Sequence, residues 1–391
     1  MATRNLENIT IHQFRGLKEL QLKNLGQINL LVGINNSGKT SVLEALSVFC
    51  NPLDLRSWII TATQRENPFT TDRTSIFELL RWLFTKAKPR TGTIFISGDG
   101  TFAVKKLKAV YEEIEGMFLS KKTTQKISKM EQLIYQSTDQ IKEARQERED
   151  ILEIRKGFNL RIELDNSKLD LLDGESHDRV RTYVLWEDDY LLSQNDIKSE
   201  YTLLVSTVTP DSHHSSVAQI RLLSEASFSN FKTDVLNLLN QMDQNISDIE
   251  ILVPPDSVAF SADIYIQHKQ LGLVPVSSFG DGVRRLLHIA LKLASVKGGV
   301  LLIDELESTI HTEALQNSFQ WLVKWCKELN VQLFATTHSL EAVDALLAVT
   351  EDVSDLVLYR LEPKENCTKV IRHDWSRLKR LREELGQEVR W

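Results

Sequence analysis

The sequence predicts an α/β fold: a parallel sheet carrying a phosphate-binding loop, joined to an antiparallel β lobe and a helical insertion. Three observations carry this expectation. A continuous apolar run, Ile28–Val32, stops at Gly33 and is followed after a short polar loop by apolar residues at helical spacing over Thr40–Val48. A second apolar run, Val300–Ile303, ends in Asp304-Glu305. The last third of the chain alternates short apolar runs with helical stretches, the rhythm of parallel strands and crossover helices.

The chain has 391 residues, enough for two or three domains. Hydrophobic residues make up 42% and charged residues 26%, which excludes global disorder and fibrous structure. No apolar run approaches the ~18 to 20 residues of a membrane span, so no membrane partner is expected. The start, MATRNLENITIHQF, lacks a basic segment followed by an apolar one, so no secretory leader is expected. Cys50, Cys326 and Cys367 are far apart and form no CxxC, which argues for a reducing, cytoplasmic location. The net charge of −7 leaves only a local basic stripe as a route to nucleic acid.

In chain order, residues 9–11 and 20–22 read as short strands around an Arg15-Gly16 turn. Residues 93–105 read as a hairpin turning at Gly98-Asp99-Gly100. Further strands are expected at 158–164, 180–186 and 201–206, in an antiparallel middle region. Residues 121–156 are rich in Lys, Arg, Asp and Glu. Ile127, Met130, Ile134, Ile141, Ala144 and Ile151 form a heptad-like stripe interrupted by Ser137 and Arg148. This stretch reads equally as a dimerisation or partner helix and as an amphipathic helix packed on its own domain. Residues 214–246 read as helical, followed by strands at 249–253 and 259–267. The expected partition is a head segment over 1–110, a helical insertion over 111–157, further strands of the β lobe over 158–210, and the second head segment over 211–391.

Residues 33–40 read Gly-Ile-Asn-Asn-Ser-Gly-Lys-Thr, the GxxxxGK[ST] pattern, with a buried strand before it and a helix after it. Such glycines let the backbone wrap a polyphosphate, with Asn35, Asn36, Ser37 and Gly38 supplying N–H groups near a helix N-terminus and Ser41 following in the helix. Lys39 places a point charge on the β/γ-phosphates, and the Thr40 hydroxyl suits Mg²⁺. Asp304, at the end of an apolar strand, is placed to hold Mg²⁺, and Glu305 to polarise an attacking water. The next apolar strand, Val331–Ala335, ends in Thr336-Thr337-His338, where His338 could contact a γ-phosphate or the water.

A second Ser/Gly loop, Ser277–Val283, opens the predicted helix Arg284–Val296, again an anion-binding design. One P-loop and a second such loop suggest a site shared by two copies. Four segments together, HQFRGLKEL, GINNSGKTS, SFGDGVRRLL and VLLIDELES followed by FATTHS, resemble the ABC-type ATPases of the SMC, RecF and OLD group. The pattern is most similar to OLD-like "AAA-type" ATPases of bacterial phage-defence systems. The resemblance covers about 1–50 and 250–350, and the middle by architecture alone.

The resemblance implies an ABC/SMC-head P-loop fold, ATP and Mg²⁺ as cofactors, and a homodimer or higher homo-oligomer. Ser278 and Gly280, with Asp281 and Gly282, would cap the nucleotide of a partner copy. Glu305 and His338 would serve hydrolysis, and Arg15 would approach the nucleotide. It further implies a sensor or scaffold role regulating a separately encoded effector, such as a Toprim or HNH nuclease. The alternatives are a RecF-like ATPase binding DNA in repair and a nucleotide-gated scaffold with little turnover.

The signature differs from the transporter LSGGQ, and no glutamine stands at an obvious Q-loop position, Gln64 being the candidate. After His338 only 53 residues remain and no DxD occurs, so no nuclease site is expected within this chain. The basic residues of 371–391 are interleaved with acidic ones and read as i,i+4 pairs on one helix. His213-His214 has no other ligand near it in sequence, and no metal is expected there. Trp321 and Trp325 read as packing.

Overall fold

The computed structural model describes residues 4–65, 75–88, 90–119, 152–166, 179–186, 201–214, 216–254, 262–351, 355–364 and 367–391. The chain opens with an antiparallel hairpin, β1 (Asn8–Phe14) and β2 (Leu17–Leu22), turned at Arg15, whose φ is +51°. Then come β3 (Ile28–Val32), α1 (Lys39–Cys50), α2 (Leu55–Thr63) and α3 (Ile76–Arg81). β4 (Thr85–Lys88), β5 (Thr91–Asp99), β6 (Val104–Leu119), β7 (Leu152–Asn166) and β8 (Val180–Trp186) complete the β lobe. Its sheet is antiparallel, in the order β2-β1-β5-β6-β7-β8, with β4 beside β5.

β9 (Val205–Val208) enters the second sheet. A small layer follows: α4 (Ser216–Phe228), α5 (Lys232–Met242), β10 (Ile246–Leu252), β11 (Asp263–His268) and β12 (Gly272–Pro275). The chain then runs through α6 (Asp281–Ser295), β13 (Val300–Ile303), α7 (Thr312–Glu328), β14 (Gln332–Thr336) and α8 (Leu340–Ala348). It ends with β15 (Leu356–Pro363), β16 (Thr368–Asp374) and the short α9 (Trp375–Lys379). The second sheet has the order β16-β15-β3-β14-β13-β9, parallel throughout except for the edge strand β16.

The continuous apolar runs are explained by burial on both faces of this sheet. Ile28, Leu30, Val32, Leu301, Ile303, Leu333 and Ala335 face one core, shared with α6, α7 and α8. Leu31, Leu302, Phe334 and Val357 face the other, shared with α1 and the antiparallel sheet. Strand side chains alternate, so neighbours such as Leu30 and Leu31 feed opposite layers and both must be apolar. Asn29 interrupts β3 without an unpaired polar group: its amide bonds both backbone groups of Gly26 and the carbonyl of Leu333. Gln332 ties the amino-terminal segment to the sheet, donating to the carbonyls of Leu6 and Gly26 and accepting from the Leu6 N–H. Trp321 and Trp325 pack as expected, both against Phe231.

Several sequence expectations need correction. Residues 152–156, expected at the end of a long helix, are strand residues of β7, and 111–119 extend β6, so both flanks of the expected insertion belong to the antiparallel sheet. Residues 121–151 lie outside the described residues. The strand expected at 201–206 begins at Val205 and joins the parallel sheet beside β13, because VSTV supplies the edge that pairs with Val300–Ile303. Helix 214–246 breaks at Ser229–Phe231 into α4 and α5. The carboxy-terminal stretch is no single helix: 371–374 finish β16, and α9 runs into a wide turn at Arg380–Glu384. The i,i+4 pairs Lys379–Glu383 and Arg380–Glu384 do form. Among the described residues, no helix is long and apolar enough to cross a membrane.

Two buried histidines set a pH dependence. Burial pushes His288 down to about 3 and His373 down to about 4. The unfolded chain, with ordinary imidazoles near 6.5, therefore binds more protons than the fold below that pH. Stability is complete above about pH 6.5 and falls as the pH drops through the window down to the folded values. Thermal melting between pH 7 and 4.5, where most carboxylates remain ionised, is expected to show this decline. The double variant His288→Gln, His373→Gln is expected to flatten it.

Candidate functional site

The site is built at the carboxyl ends of β3, β13 and β14, which lie side by side. The loop after β3 turns at Gly33, where φ is +148°. A Cβ there would stand 2.6 Å from the Leu361 carbonyl oxygen, a backbone atom that cannot step aside. Gly38, at φ +95°, caps α1, and a Cβ there would meet the Leu17 side chain at 2.5 Å. The β1–β2 hairpin thus buttresses the loop from below. Asn35 and Asn36 are exposed at its rim, whereas the Ser37 hydroxyl is buried with no hydrogen-bond partner among the described residues. Such an orphan calls for an acceptor or donor from a bound group. The Lys39 ammonium donates to the carbonyls of Gly33 (2.9 Å) and Ile34 (3.1 Å). Burial draws its pKa below the ordinary value, against the pull of Asp304, Glu305 and Glu307.

Asp304 lies at the centre. The Thr40 hydroxyl donates to its Oδ2 at 3.0 Å, and the Thr336 hydroxyl donates to its Oδ1 at 2.6 Å. Thr336 in turn accepts from the Glu305 N–H at 2.8 Å. A carboxylate and a hydroxyl converging at the end of a phosphate loop are hard oxygen donors that fit Mg²⁺. The Glu305 side chain is exposed, on a residue whose backbone is left-handed (φ +51°). Its peptide group is held on both sides, by Thr336 on the nitrogen and Arg285 on the oxygen. Glu307 accepts from the His338 N–H at 2.9 Å, tying the acidic turn to the end of β14. The His338 carbonyl accepts from Arg390, which pairs with Glu388.

Arg285, the fifth residue of α6, has 0% of its surface exposed. Its guanidinium donates to four carbonyls: Thr209 and Pro210 at 3.1 Å, Asp304 at 2.9 Å and Glu305 at 2.6 Å. Burial lowers its pKa, opposed by Glu305, Glu307, Asp304 and Asp211. One side chain therefore joins the helix behind the Ser/Gly loop to the acidic turn and to the segment after β9.

A model of the AAA ATPase domain (AAA_15) matches residues 5–343, spanning P-loop, Ser/Gly loop, acidic strand and His338. The chain belongs to this AAA ATPase family. Its fold is an α/β P-loop ATPase fold, with the parallel and antiparallel sheets described above. The "Uncharacterized protein MJECL11" of Methanocaldococcus jannaschii is 37% identical over 113 residues, 28% of this chain and 98% of that one. An "ATP/GTP phosphatase" of Helicobacter pylori is 22% identical over 361 residues, 87% of each chain. Among solved structures, the SMC head bound to the C-winged helix domain of ScpA is similar at 12% identity and a TM-score of 0.47, covering 94% of this chain and 98% of that one. The SMC head domain from Thermotoga maritima is similar at 11% identity and a TM-score of 0.41, covering 94% and 99%.

The ATPase brings Lys39, Thr40, Asp304 and the Glu305 backbone together through these contacts. Ser278, Gly280 and Asp281 are exposed at the start of α6. Among the described residues no hydrogen bond joins 278–282 to the P-loop. Arg15 is held by Glu44 of α1, whose carboxylate is fully buried, with Arg15 Nε at 2.7 Å and Arg65 Nε at 2.6 Å. Arg65 also donates to Ser41. Gln64 closes α2 through its backbone, and the residue that reaches α1 is its neighbour Arg65. Sequence reasoning missed Arg65, Arg285, Thr336 and Glu307. The last three lie within the segments already singled out, SFGDGVRRLL, TTHS and DELE.

Proposed function

We propose that this ATPase binds Mg²⁺-ATP in the 33–41 loop of one copy and hydrolyses it only when a second copy caps the nucleotide. Ser278, Gly280, Asp281 and Gly282 of that second copy make the cap. Lys39 neutralises phosphate charge, and the loop N–H groups and Ser37 hydroxyl bind the phosphate oxygens. Thr40 and Asp304 hold Mg²⁺, which when bound offsets the charge of the β- and γ-phosphates. Glu305 accepts a proton from the attacking water, His338 after β14 contacts the γ-phosphate or that water, and Arg15 supports the P-loop helix through Glu44. Hydrolysis separates the copies, and this cycle gates a separately encoded effector, a Toprim or HNH nuclease, in an OLD-like defence role.

The observation that carries the hydrolytic reading is Asp304 held between the Thr40 and Thr336 hydroxyls at the strand ends, with the exposed Glu305 next to it. The exposed Ser/Gly loop at the start of α6 supports the shared site. The effector reading rests on the motif resemblance. Ion pairing of the carboxy-terminal arginines, Arg382 with Asp344 and Arg390 with Glu388, favours it over a DNA-binding stripe.

The test is Ser278→Arg. The bulky cation is expected to leave ATP affinity unchanged and to lower turnover by at least about 10²-fold, since it obstructs only the partner's site. Turnover at the wild-type level would remove Ser278 from the mechanism.

A further inference from the structure

His213 lies in the 3-10 turn Ser212–His214 that follows β9, and Asp281 opens α6. Far apart in sequence, they meet in space. His213 Nε2 is 3.6 Å from Asp281 Oδ1, and the His213 and His214 rings stand 4.1 Å apart between centroids. One ligand atom from each of His213, His214 and Asp281 lies within 4.8 Å of the other two.

A second observation points to a ligand. The His213 side chain is only 2% exposed, and among the described residues neither ring nitrogen has a hydrogen-bond partner. Buried imidazoles ordinarily bond through at least one nitrogen. Arg284 and Arg285 stand near the ring.

We infer that His213, His214 and Asp281 form a binding site for a divalent transition metal of the zinc class. Two imidazoles and a carboxylate suit Zn²⁺, which takes three protein ligands and leaves a fourth position open to water. Ligand atoms of a tetrahedral site stand about 3.3 Å apart, so the exposed His214 and Asp281 side chains need to close by up to about 1.5 Å. Arg284 donates to Asp281 Oδ1 at 3.1 Å and orients the carboxylate from outside. The two arginines and the helix N-terminus oppose a cation here, which places the site among exchangeable metals. Bound metal ties the segment after β9 to the first residue of α6, the helix that Arg285 already joins to the acidic turn. The consequence for turnover rests on the proposed role of the Ser/Gly loop; metal binding does not.

The experiment is a Co²⁺ titration of the chelator-treated full chain without nucleotide, read by visible ligand-field absorption and reversed with Zn²⁺. One Co²⁺ per chain is expected, displaced by Zn²⁺ and indifferent to excess Mg²⁺. His214→Ala and Asp281→Asn are each expected to weaken binding at least about tenfold, and Asp304→Asn to leave it intact. His214 and Asp281 are exposed, so unchanged circular dichroism separates lost ligation from lost fold. No saturable binding, binding unaffected in both ligand variants, or binding lost instead in Asp304→Asn would each overturn the inference.

Discussion

Replacing Glu305 with glutamine is expected to lower ATP turnover by about 10²- to 10³-fold while ATP stays bound. The amide keeps the size of the carboxylate and its exposed position but cannot accept the proton of water at neutral pH. The backbone of Glu305 is fixed by the Thr336 hydroxyl and the Arg285 guanidinium, neither of which touches the altered side chain. Binding contributed by Lys39, Thr40 and Asp304 is therefore kept. Single-turnover hydrolysis beside equilibrium ATP binding makes the check. Loss of both together would indicate damage to the fold of the turn, and an unaltered rate would take Glu305 out of the proton transfer.

Replacing Arg285 with methionine is expected to cost about 3–5 kcal/mol of stability and to lower turnover as well. Methionine fills much of the volume but gives nothing to the carbonyls of Thr209, Pro210, Asp304 and Glu305. Four partly buried acceptors lose their donor, and four nearby carboxylates, Asp304, Glu305, Glu307 and Asp211, lose a compensating charge. Lysine restores the charge but offers a single point in place of the planar fork, so Arg285→Lys is expected to recover only part of both losses. Urea unfolding and ATP turnover on the two variants measure this. A stability within about 0.5 kcal/mol of wild type for Arg285→Met would show that water or neighbouring donors replace the guanidinium.

The elements that sequence reading places correctly are those specified by local pattern. Ile28–Val32 and Val300–Ile303 are buried on both faces, and their uninterrupted apolar runs say so. The P-loop is legible because its glycines, lysine and threonine act at fixed spacing within eight residues. Elements specified by distant pairing were harder to read. Val205–Val208 is a short strand of ordinary composition that becomes part of the parallel sheet only through β13. Leu152–Lys156 follows the heptad-like stripe that ends at Ile151 and reads as its continuation, but its own short apolar and charged alternation is a strand period, and it pairs with Glu115–Leu119. Arg285 stands in sequence as one residue of SFGDGVRRLL at the start of the predicted helix Arg284–Val296. Its burial follows from carbonyls contributed by two other segments, and no local spacing announces them. His213 and Asp281 likewise meet only in the fold.

The central claim is that nucleotide is enclosed between two copies of the chain. It is tested most directly by the mass of the Glu305→Gln chain in solution, measured by light scattering with and without Mg²⁺-ATP. The account predicts a doubling of mass on adding ATP, lost when Ser278→Arg is introduced into the same chain. An unchanged mass with ATP demonstrably bound, or equal assembly of the double variant, would contradict it.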